Sequence, residues 1–322
     1  MTPSFLYLSR DDVASLNIEP EAARQLIDET FRAYAQGRLQ ALPKAVLDLS
    51  PGHAFQAMCA SSTEHKVAGV KWLGITPAIP DVRPSSIDAI ICLNDITTGR
   101  LLAIMDGDLI TLIRTAAMSV AAAKYLAPIE PKTIGFVGCG PQAIAHFYAF
   151  IDYFKSIDSV RCISAGGQSA VAMATLAHDL GFAATKHDDA ESVVRASDIV
   201  ITTVPNKTGM QAFLDPAWLK PAAYVAAVDL GRSWHPNRFQ YFDILATDSI
   251  LQWDRPYAAD GTPISRQFDV DLGMLASGGE HLAARISRTL FNFRGHAIAD
   301  LAIADLVYRT ALIKGAGNRL NR

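Results

Sequence analysis

Residues 132–150 read Lys-Thr-Ile-Gly-Phe-Val-Gly-Cys-Gly-Pro-Gln-Ala-Ile-Ala-His-Phe-Tyr-Ala-Phe, an apolar strand that breaks into glycines and re-forms as a helix. Gly138, Gly140 and Ala143 stand at the G-x-G-x-x-G/A spacing. In that pattern the first glycine allows a tight turn, the second lets backbone approach a pyrophosphate, and the third small residue permits close helix-strand packing. The N–H groups opening the following helix then face the phosphates. Glycines also punctuate ordinary turns, so the flanks decide. The strand 133–137 precedes the motif, and a second apolar run at 159–164 follows at the distance of one βαβ unit. The alternative is a parallel αβ sheet that binds no nucleotide; the expectation is a dinucleotide cofactor, NAD or NADP.

The chain has 322 residues, 50% hydrophobic and 19% charged, the balance of a soluble globular enzyme large enough for two domains. A formal charge of -3 leaves no basic footprint, and no Lys/Arg cluster alternates with aromatics, so nucleic acid is not an expected partner. Cys59, Cys92, Cys139 and Cys162 lie far apart with no C-x-x-C, each in or beside an apolar run, and read as small buried thiols of a reduced, cytoplasmic protein. The first residues show no basic region followed by a long apolar one, so no signal peptide is expected. The longest apolar region, 101–127, is interrupted by Asp106, Asp108 and Arg114 and does not read as a membrane span. The histidines lack metal-ligand spacing, and neither H-E-x-x-H nor G-x-S-x-G occurs, so neither a metal site nor a hydrolase is expected.

Along the chain, 21–36 approximates one apolar helical face after Pro20. Strand-like runs follow at 44–49, 54–60, 67–75, 87–94 and 101–105, a meander without intervening helices. The stretch 108–126 predicts a long buried helix carrying Arg114, which needs an anionic partner. Residues 128–131 predict the crossing between domains. Beyond them, helices at 169–180 and 190–196 alternate with strands at 199–204, 224–228 and 244–247, the pattern of a doubly wound parallel sheet. Residues 252–279 read as irregular, and 297–314 as a terminal helix ended by Gly315.

These segments together resemble one family, the ornithine cyclodeaminases and mu-crystallin, with the archaeal-type alanine dehydrogenases, ketimine reductases and pyrroline-2-carboxylate reductases. The resemblance rests on Met58-Cys59-Ala60, Gly69-Val70-Lys71-Trp72, Leu93-Asn94-Asp95 with Thr98-Gly99, Met105-Asp106-Gly107, Ile113-Arg114-Thr115-Ala116-Ala117, Gly138 to Ala143, and Gly295-x-Ala297-x-x-Asp300. It covers nearly the whole chain. It implies an α/β fold with a Rossmann doubly wound parallel sheet in residues 129–296, and an α+β substrate-binding and dimerisation domain in residues 1–128 completed by the C-terminal helix 297–322. A homodimer is implied, with no membrane partner.

The implied chemistry is hydride transfer between a nicotinamide and a small amino or imino acid, which requires the substrate carboxylate to be fixed. Cations do this, and the resemblance places Lys44, Lys71 and Arg114 there, Arg with the capacity for a bidentate grip. The competing readings are a salt bridge from Arg114 to Asp106 or Asp108, and a Lys71 that snorkels at the surface. Relatives have Arg at the position of Lys44. Met58 belongs to the same substrate set. The family's acid-base Asp follows a Rossmann strand, and Asp229 is the candidate here, though a gap-free reading puts Gly231 at that place; Lys71 with a neutral amine, or His235, are the alternatives. For the cofactor the resemblance implies Arg114, Thr115, Gly138, Gly140, Pro141, Gln142, Ala143, Ser164, Gln168, Val204, Asp229, Gly295 and His296. His296 reads first as a satisfied core or capping histidine, with the place near the nicotinamide as what the resemblance implies.

Ornithine cyclodeaminases of the family carry a carboxylate two residues before the motif Met. Here Gln56 stands there, and an amide cannot neutralise or deprotonate an ammonium. The expectation is therefore NAD(P)H-dependent reduction of an α-imino acid, a cyclic ketimine or an open-chain imine, or the reverse amino-acid dehydrogenation. Arg83, Arg232 and His235 would allow a second carboxylate, as in iminosuccinate. A cyclodeaminase-type lyase and a mu-crystallin-like nucleotide-dependent ligand-binding protein are the alternatives. After the second Rossmann strand, Ser164 to Gln168 offers neither the acid that binds a ribose hydroxyl nor a phosphate-binding Arg, which leans the expectation toward NADP(H).

Overall fold

The computed structural model describes residues 4–50, 52–77, 87–206, 209–278 and 287–321. The chain forms two compact units, residues 1–114 with 295–322, and residues 115–294.

In the first unit, β1 (Ser4–Leu8) leads into α1 (Arg10–Ser15), whose start is fixed by a reciprocal capping box between Ser9 and Asp12. Next comes α2 (Pro20–Ala35), with Pro20 at a first-turn position where its missing N–H costs nothing. The strands β2 (Leu39–Ala41), β3 (Ala45–Ser50), β4 (His53–Ser62), β5 (Val67–Ile75), β6 (Ile87–Asp95) and β7 (Leu101–Asp106) follow, and then α3 (Gly107–Leu126) begins. Its first turn is capped by Asp106, whose Oδ1 accepts the Leu109 N–H at 2.8 Å. Gly107 is required here, because a Cβ would lie 2.9 Å from the Ala89 backbone.

The second unit continues α3 and alternates strand and helix: β8 (Thr133–Val137), α4 (Pro141–Tyr153), β9 (Ser159–Ile163), α5 (Gln168–Asp179), β10 (Ala183–Lys186), α6 (Ala190–Ala196), β11 (Ile199–Thr202), β12 (Tyr224–Ala227), β13 (Ile244–Thr247), β14 (Val270–Asp271), α7 (Leu272–Gly278) and β15 (Thr289–Asn292). All neighbours are parallel in the order β10-β9-β8-β11-β12-β15-β13-β14. This is the expected Rossmann-like sheet. β11 and β12 are buried along their whole length, as a sheet covered on both faces demands.

The chain then re-enters the first unit as α8 (Ala297–Lys314) and β16 (Asn318–Asn321). The first unit's sheet is mixed, ordered β16-β1-β7-β6-β5-β4-β2 with β3 also on β4. Register puts Met58, Lys71 and Ile91 side by side on one face of β4, β5 and β6, with Gln56 two residues from Met58 on that same face. α8 packs on this face, close enough that a Cβ on Gly69 would lie 3.0 Å from Leu301 Cδ1. The opposite face carries Leu47, Phe55, Trp72 and Ile90, of which Leu47, Trp72 and Ile90 are exposed and Phe55 stacks on Trp72.

The two units divide at residues 114/115, inside α3, where the sequence predicts the crossing at 128–131; the rest of α3 is bonded into the second unit, the Tyr224 hydroxyl donating to the Ser119 carbonyl at 2.8 Å and Thr289 Oγ1 to the Leu126 carbonyl at 2.9 Å. One expectation is corrected. The stretch 252–279, read as irregular, contains β14 and α7. Among the described residues α3 is the one helix long and apolar enough to cross a bilayer, and it is largely buried in protein. All four cysteines are free thiols.

Candidate active site

In the first unit, three residues far apart in sequence meet. Lys71 on β5 lies 2.7 Å from Asp300 Oδ1, and Arg114 Nε on α3 lies 3.1 Å from the same oxygen. Lys71 is 3% exposed, Arg114 7% and Asp300 2%, which removes the surface reading of Lys71, and Asp300 is a partner of Arg114 not singled out from the sequence. Asp300 Oδ2 has no hydrogen-bond partner among the described residues. The Arg114 guanidinium reaches this point past Gly295, whose φ is +89° and whose Cβ would lie 3.0 Å from Arg114 Nη1. Any side chain at position 295 would push the guanidinium away.

The cluster is electrostatically lopsided, since Lys71, Arg114 and Lys44 all act on Asp300. Burial pushes the Lys71 ammonium down to about 8 against the pull of Asp300, and the repulsion of Arg114 and Lys44 adds to burial. For Asp300, burial would raise the carboxyl, but Lys71 and Arg114 prevail and hold it below the ordinary carboxylate range. An ammonium has three donor positions. Asp300 takes one on Lys71 and the Thr111 hydroxyl, at 3.4 Å, a second. Cationic side chains gathered in this way suit a small carboxylate.

Lys44 is half-buried just before β3, and Gln56 is half-buried on β4. His296 is fully buried and caps α8, its Nδ1 accepting the Ile298 N–H at 3.3 Å while its ring meets Phe31 and Tyr34 edge-on. That is the capping role weighed above. Arg83 lies outside the described residues.

In the second unit, Gly138 and Thr203 follow β8 and β11, neighbouring strands from which the chain winds in opposite directions, where open parallel sheets bind ligands. Gly138 has φ +89°, and a Cβ there would lie 2.8 Å from the Thr203 carbonyl oxygen. The Thr203 hydroxyl donates to the Gly138 carbonyl at 3.0 Å and holds the turn closed. Around Gly140, by contrast, a Cβ would meet nothing within 4 Å. Gly140 is the N-cap of α4 with no side chain capping it, Pro141 opens the helix, and Ala143 is fully buried. Gln142 is half-buried, and its Oε1 has no partner among the described residues. Open space above uncapped helix N–H groups fits the pyrophosphate of a dinucleotide. Ser164 Oγ accepts the Ala170 N–H at 3.0 Å, Gln168 is exposed at the start of α5, Val204 is half-buried beyond β11, and Thr115 is buried on α3.

Asp229 follows β12 at the same edge. Its Oδ1 accepts from the Thr202 hydroxyl at 2.8 Å and the Gly231 N–H at 3.1 Å, and its Oδ2 from the Ser233 hydroxyl at 2.6 Å. Burial raises its carboxyl above the ordinary range in spite of those donors. Gly231 has φ +73° with Asn292 Nδ2 at 2.8 Å from a would-be Cβ, so no carboxylate can stand there in this backbone. Asp300, Thr203 and Ser233 were not singled out for roles from the sequence. Asp300 had two signals, its place in the Gly295-x-Ala297-x-x-Asp300 motif and its standing as a lone acid in the otherwise apolar run 297–304.

A family model described as the ornithine cyclodeaminase/mu-crystallin family matches residues 6–315. Alanine dehydrogenase of Archaeoglobus fulgidus is 30% identical over 330 residues, covering 98% of each chain. Delta(1)-pyrroline-2-carboxylate reductase of Bacillus cereus is 28% identical over 269 residues, 78% of this chain and 80% of that one. The solved structure of an archaeal alanine dehydrogenase dimer with bound NAD superposes with a TM-score of 0.83 at 26% identity, over 99% of both chains.

Proposed function

Because the chain belongs to the ornithine cyclodeaminase/mu-crystallin family, whose members include NAD(P)-dependent oxidoreductases of amino and imino acids, we propose that it interconverts a small α-imino acid and the corresponding amino acid with NAD. The observation that carries this is the convergence of Lys71 and Arg114 on Asp300 with the half-buried Lys44 beside them, a cluster of cations suited to a substrate carboxylate.

The nicotinamide supplies the hydride chemistry. The rest falls to this chain. Gly138, Gly140 and the α4 N-terminus bind the pyrophosphate, with Pro141, Gln142, Ala143, Ser164, Gln168, Thr115 and Val204 around the dinucleotide. Arg114 and Lys44 hold the substrate carboxylate, and Lys71 exchanges a proton with the substrate nitrogen. In the reductive direction the Lys71 ammonium would give a proton to the substrate nitrogen, and in the oxidative direction its neutral amine would take a proton from the substrate ammonium. Lys71 is suited to this because burial brings its ammonium down to about 8, within reach of physiological pH. Asp229, with three donors already on its carboxylate, braces the turn after β12.

NAD is favoured over the NADP(H) expected from residues 164–168, because the archaeal alanine dehydrogenase carries NAD. Gln56 favours a reductase or dehydrogenase over an ornithine cyclodeaminase. The dimer of that relative favours a homodimer here, with the exposed face of Leu47, Trp72 and Ile90 as the apolar surface available to a second copy.

The test is nicotinamide absorbance with purified protein, NADH and NADPH offered separately, against pyrroline-2-carboxylate, piperideine-2-carboxylate, pyruvate with ammonia, oxaloacetate with ammonia, and ornithine with NAD. Oxidation of NADH by an imino acid, lost in Arg114→Ala, supports the reading. Ammonia release from ornithine without net NADH, or silence across the panel despite cofactor binding, overturns it.

A further inference from the structure

Asp300 sits on α8, a helix whose first turns are otherwise Ala, Ile and Leu, and it is 2% exposed. A carboxylate buried there costs several kcal/mol unless paired. It faces Lys71 from β5, Arg114 from α3 and Lys44 from the loop before β3, with the Thr111 hydroxyl also on Lys71. Its Oδ1 is shared between two cations while its Oδ2 is bonded to nothing among the described residues.

We propose that Asp300 is a positioning residue: it turns Lys71 and Arg114 toward a common point and, as the carboxylate facing all three cations, governs whether Lys71 holds its proton. The inference rests on the reading of Lys71 as the proton-exchanging group.

Two consequences follow from Coulomb's law at short range in a dry site. Removing the negative charge of Asp300 makes the Lys71 ammonium less stable, so Lys71 loses its proton at lower pH. Removing a neighbouring positive charge does the reverse. A substrate carboxylate bound by Arg114 and Lys44 acts like a second Asp300 and strengthens the hold of Lys71 on its proton. Substrate binding therefore draws a proton in near pH 8, and supplies it where an imine nitrogen needs it.

The experiment is the pH profile of kcat/KM with the imino acid reduced fastest, in Asp300→Asn, Asp300→Glu and Lys44→Gln. Beside it, NMR of [13Cε]lysine-labelled protein titrates the Lys71 signal, assigned by its loss in Lys71→Met. In Asp300→Asn the alkaline limb of reduction and the Lys71 titration both move down by about one pH unit or more. Asp300→Glu restores them, and Lys44→Gln moves them up. Should Asp300→Asn not fold, Asp300→Ser carries the same prediction. A variant that lowers the rate at every pH while the limb and the lysine titration stay in place overturns the proposal. The NMR arm separates the two readings: a Lys71 titration moved by Asp300→Asn upholds the role of Asp300 even if no imino acid turns over, which would sink only the proposed reaction.

Discussion

Lys71 Nζ and Asp300 Oδ1 stand 2.7 Å apart although 229 residues separate them in the chain, and both are buried. The pairing ties the terminal helix α8 to the middle of the mixed sheet at the place where Arg114 also arrives. It also fixes a pH dependence. Burial brings the Lys71 ammonium from its ordinary value near 10.5 down to about 8, so reduction, which needs the ammonium, falls as pH rises through about 8. Oxidation, which needs the neutral amine, rises through the same range. Rates in the two directions, measured from pH 6 to 10 (roughly two units either side of that value), cross in this way; parallel profiles would remove Lys71 from the proton path.

Arg114→Ala removes a guanidinium from the carboxylate grip. Truncating one partner of a buried charge pair costs about 2–5 kcal/mol, so kcat/KM falls on the order of 100-fold or more. NADH affinity, read by fluorescence, stays within about threefold (under 1 kcal/mol) if the pyrophosphate cradle belongs to the second unit alone. A large loss of cofactor binding would mean that Arg114 serves the dinucleotide first.

Gly138 and Gly140 separate stability from binding. At Gly138 the φ of +89° and the Thr203 carbonyl at 2.8 Å make Gly138→Ala strained by about 1–3 kcal/mol, which appears as a Tm lower by several degrees. Gly140 has an ordinary φ of -84° and open space where a Cβ would stand. Gly140→Ala therefore leaves Tm unchanged and weakens NADH, because only the phosphates would meet the methyl group. Equal NADH affinity in Gly140→Ala and the parent protein would place the pyrophosphate elsewhere.

The contrast between these glycines shows what the sequence can convey. The G-x-G-x-x-A spacing is local, and the roles of Gly138, Gly140 and Ala143 are legible in a short window. The partner of Arg114 is not. Asp106 and Asp108 are the near candidates in sequence, but Asp106 is spent capping α3, and the carboxylate that Arg114 finds is 186 residues away. The strands β1, β10 and β16 are short, and β16, at the edge of its sheet, is exposed along its length, so no periodic burial marks them in advance. The Gly231 that a gap-free reading sets against the family's aspartate is likewise explained only by the backbone, whose positive φ and the nearby Asn292 forbid a side chain there.

The exposed face of the mixed sheet predicts assembly. Trp72 and Ile90 pair in register across β5 and β6, and Leu47 flanks them on β3 beyond Phe55, forming an apolar surface that water disfavours. Trp72→Glu together with Leu47→Glu places buried charges in any interface built on it. The parent is expected to elute as a dimer in size-exclusion chromatography with light scattering, and the double variant as a monomer. A variant that stays dimeric would put the interface on another surface.

Asp229 gives the last prediction. Its carboxyl is raised by burial, so relative to an unfolded chain it favours the protonated form in the fold. A group with a raised folded value contributes stability below the unfolded value, and that contribution is lost as pH rises through the folded one. Once ionised, the buried carboxylate is therefore a cost, offset by the donors from Thr202, Gly231 and Ser233. Asp229→Asn removes the charge and keeps an oxygen for Thr202 and Gly231, while the Ser233 hydroxyl can turn to accept from the new amide. Its Tm relative to the parent should rise as pH climbs from the ordinary carboxyl value through the raised folded one. If Asp229 only braces the turn, kcat stays within about tenfold, or 1.4 kcal/mol, while Lys71→Met loses on the order of 1,000-fold, within the range removed with a general acid-base group. The reverse ranking, with Asp229→Asn inactive and Lys71→Met merely weakened in KM, would move proton transfer to Asp229.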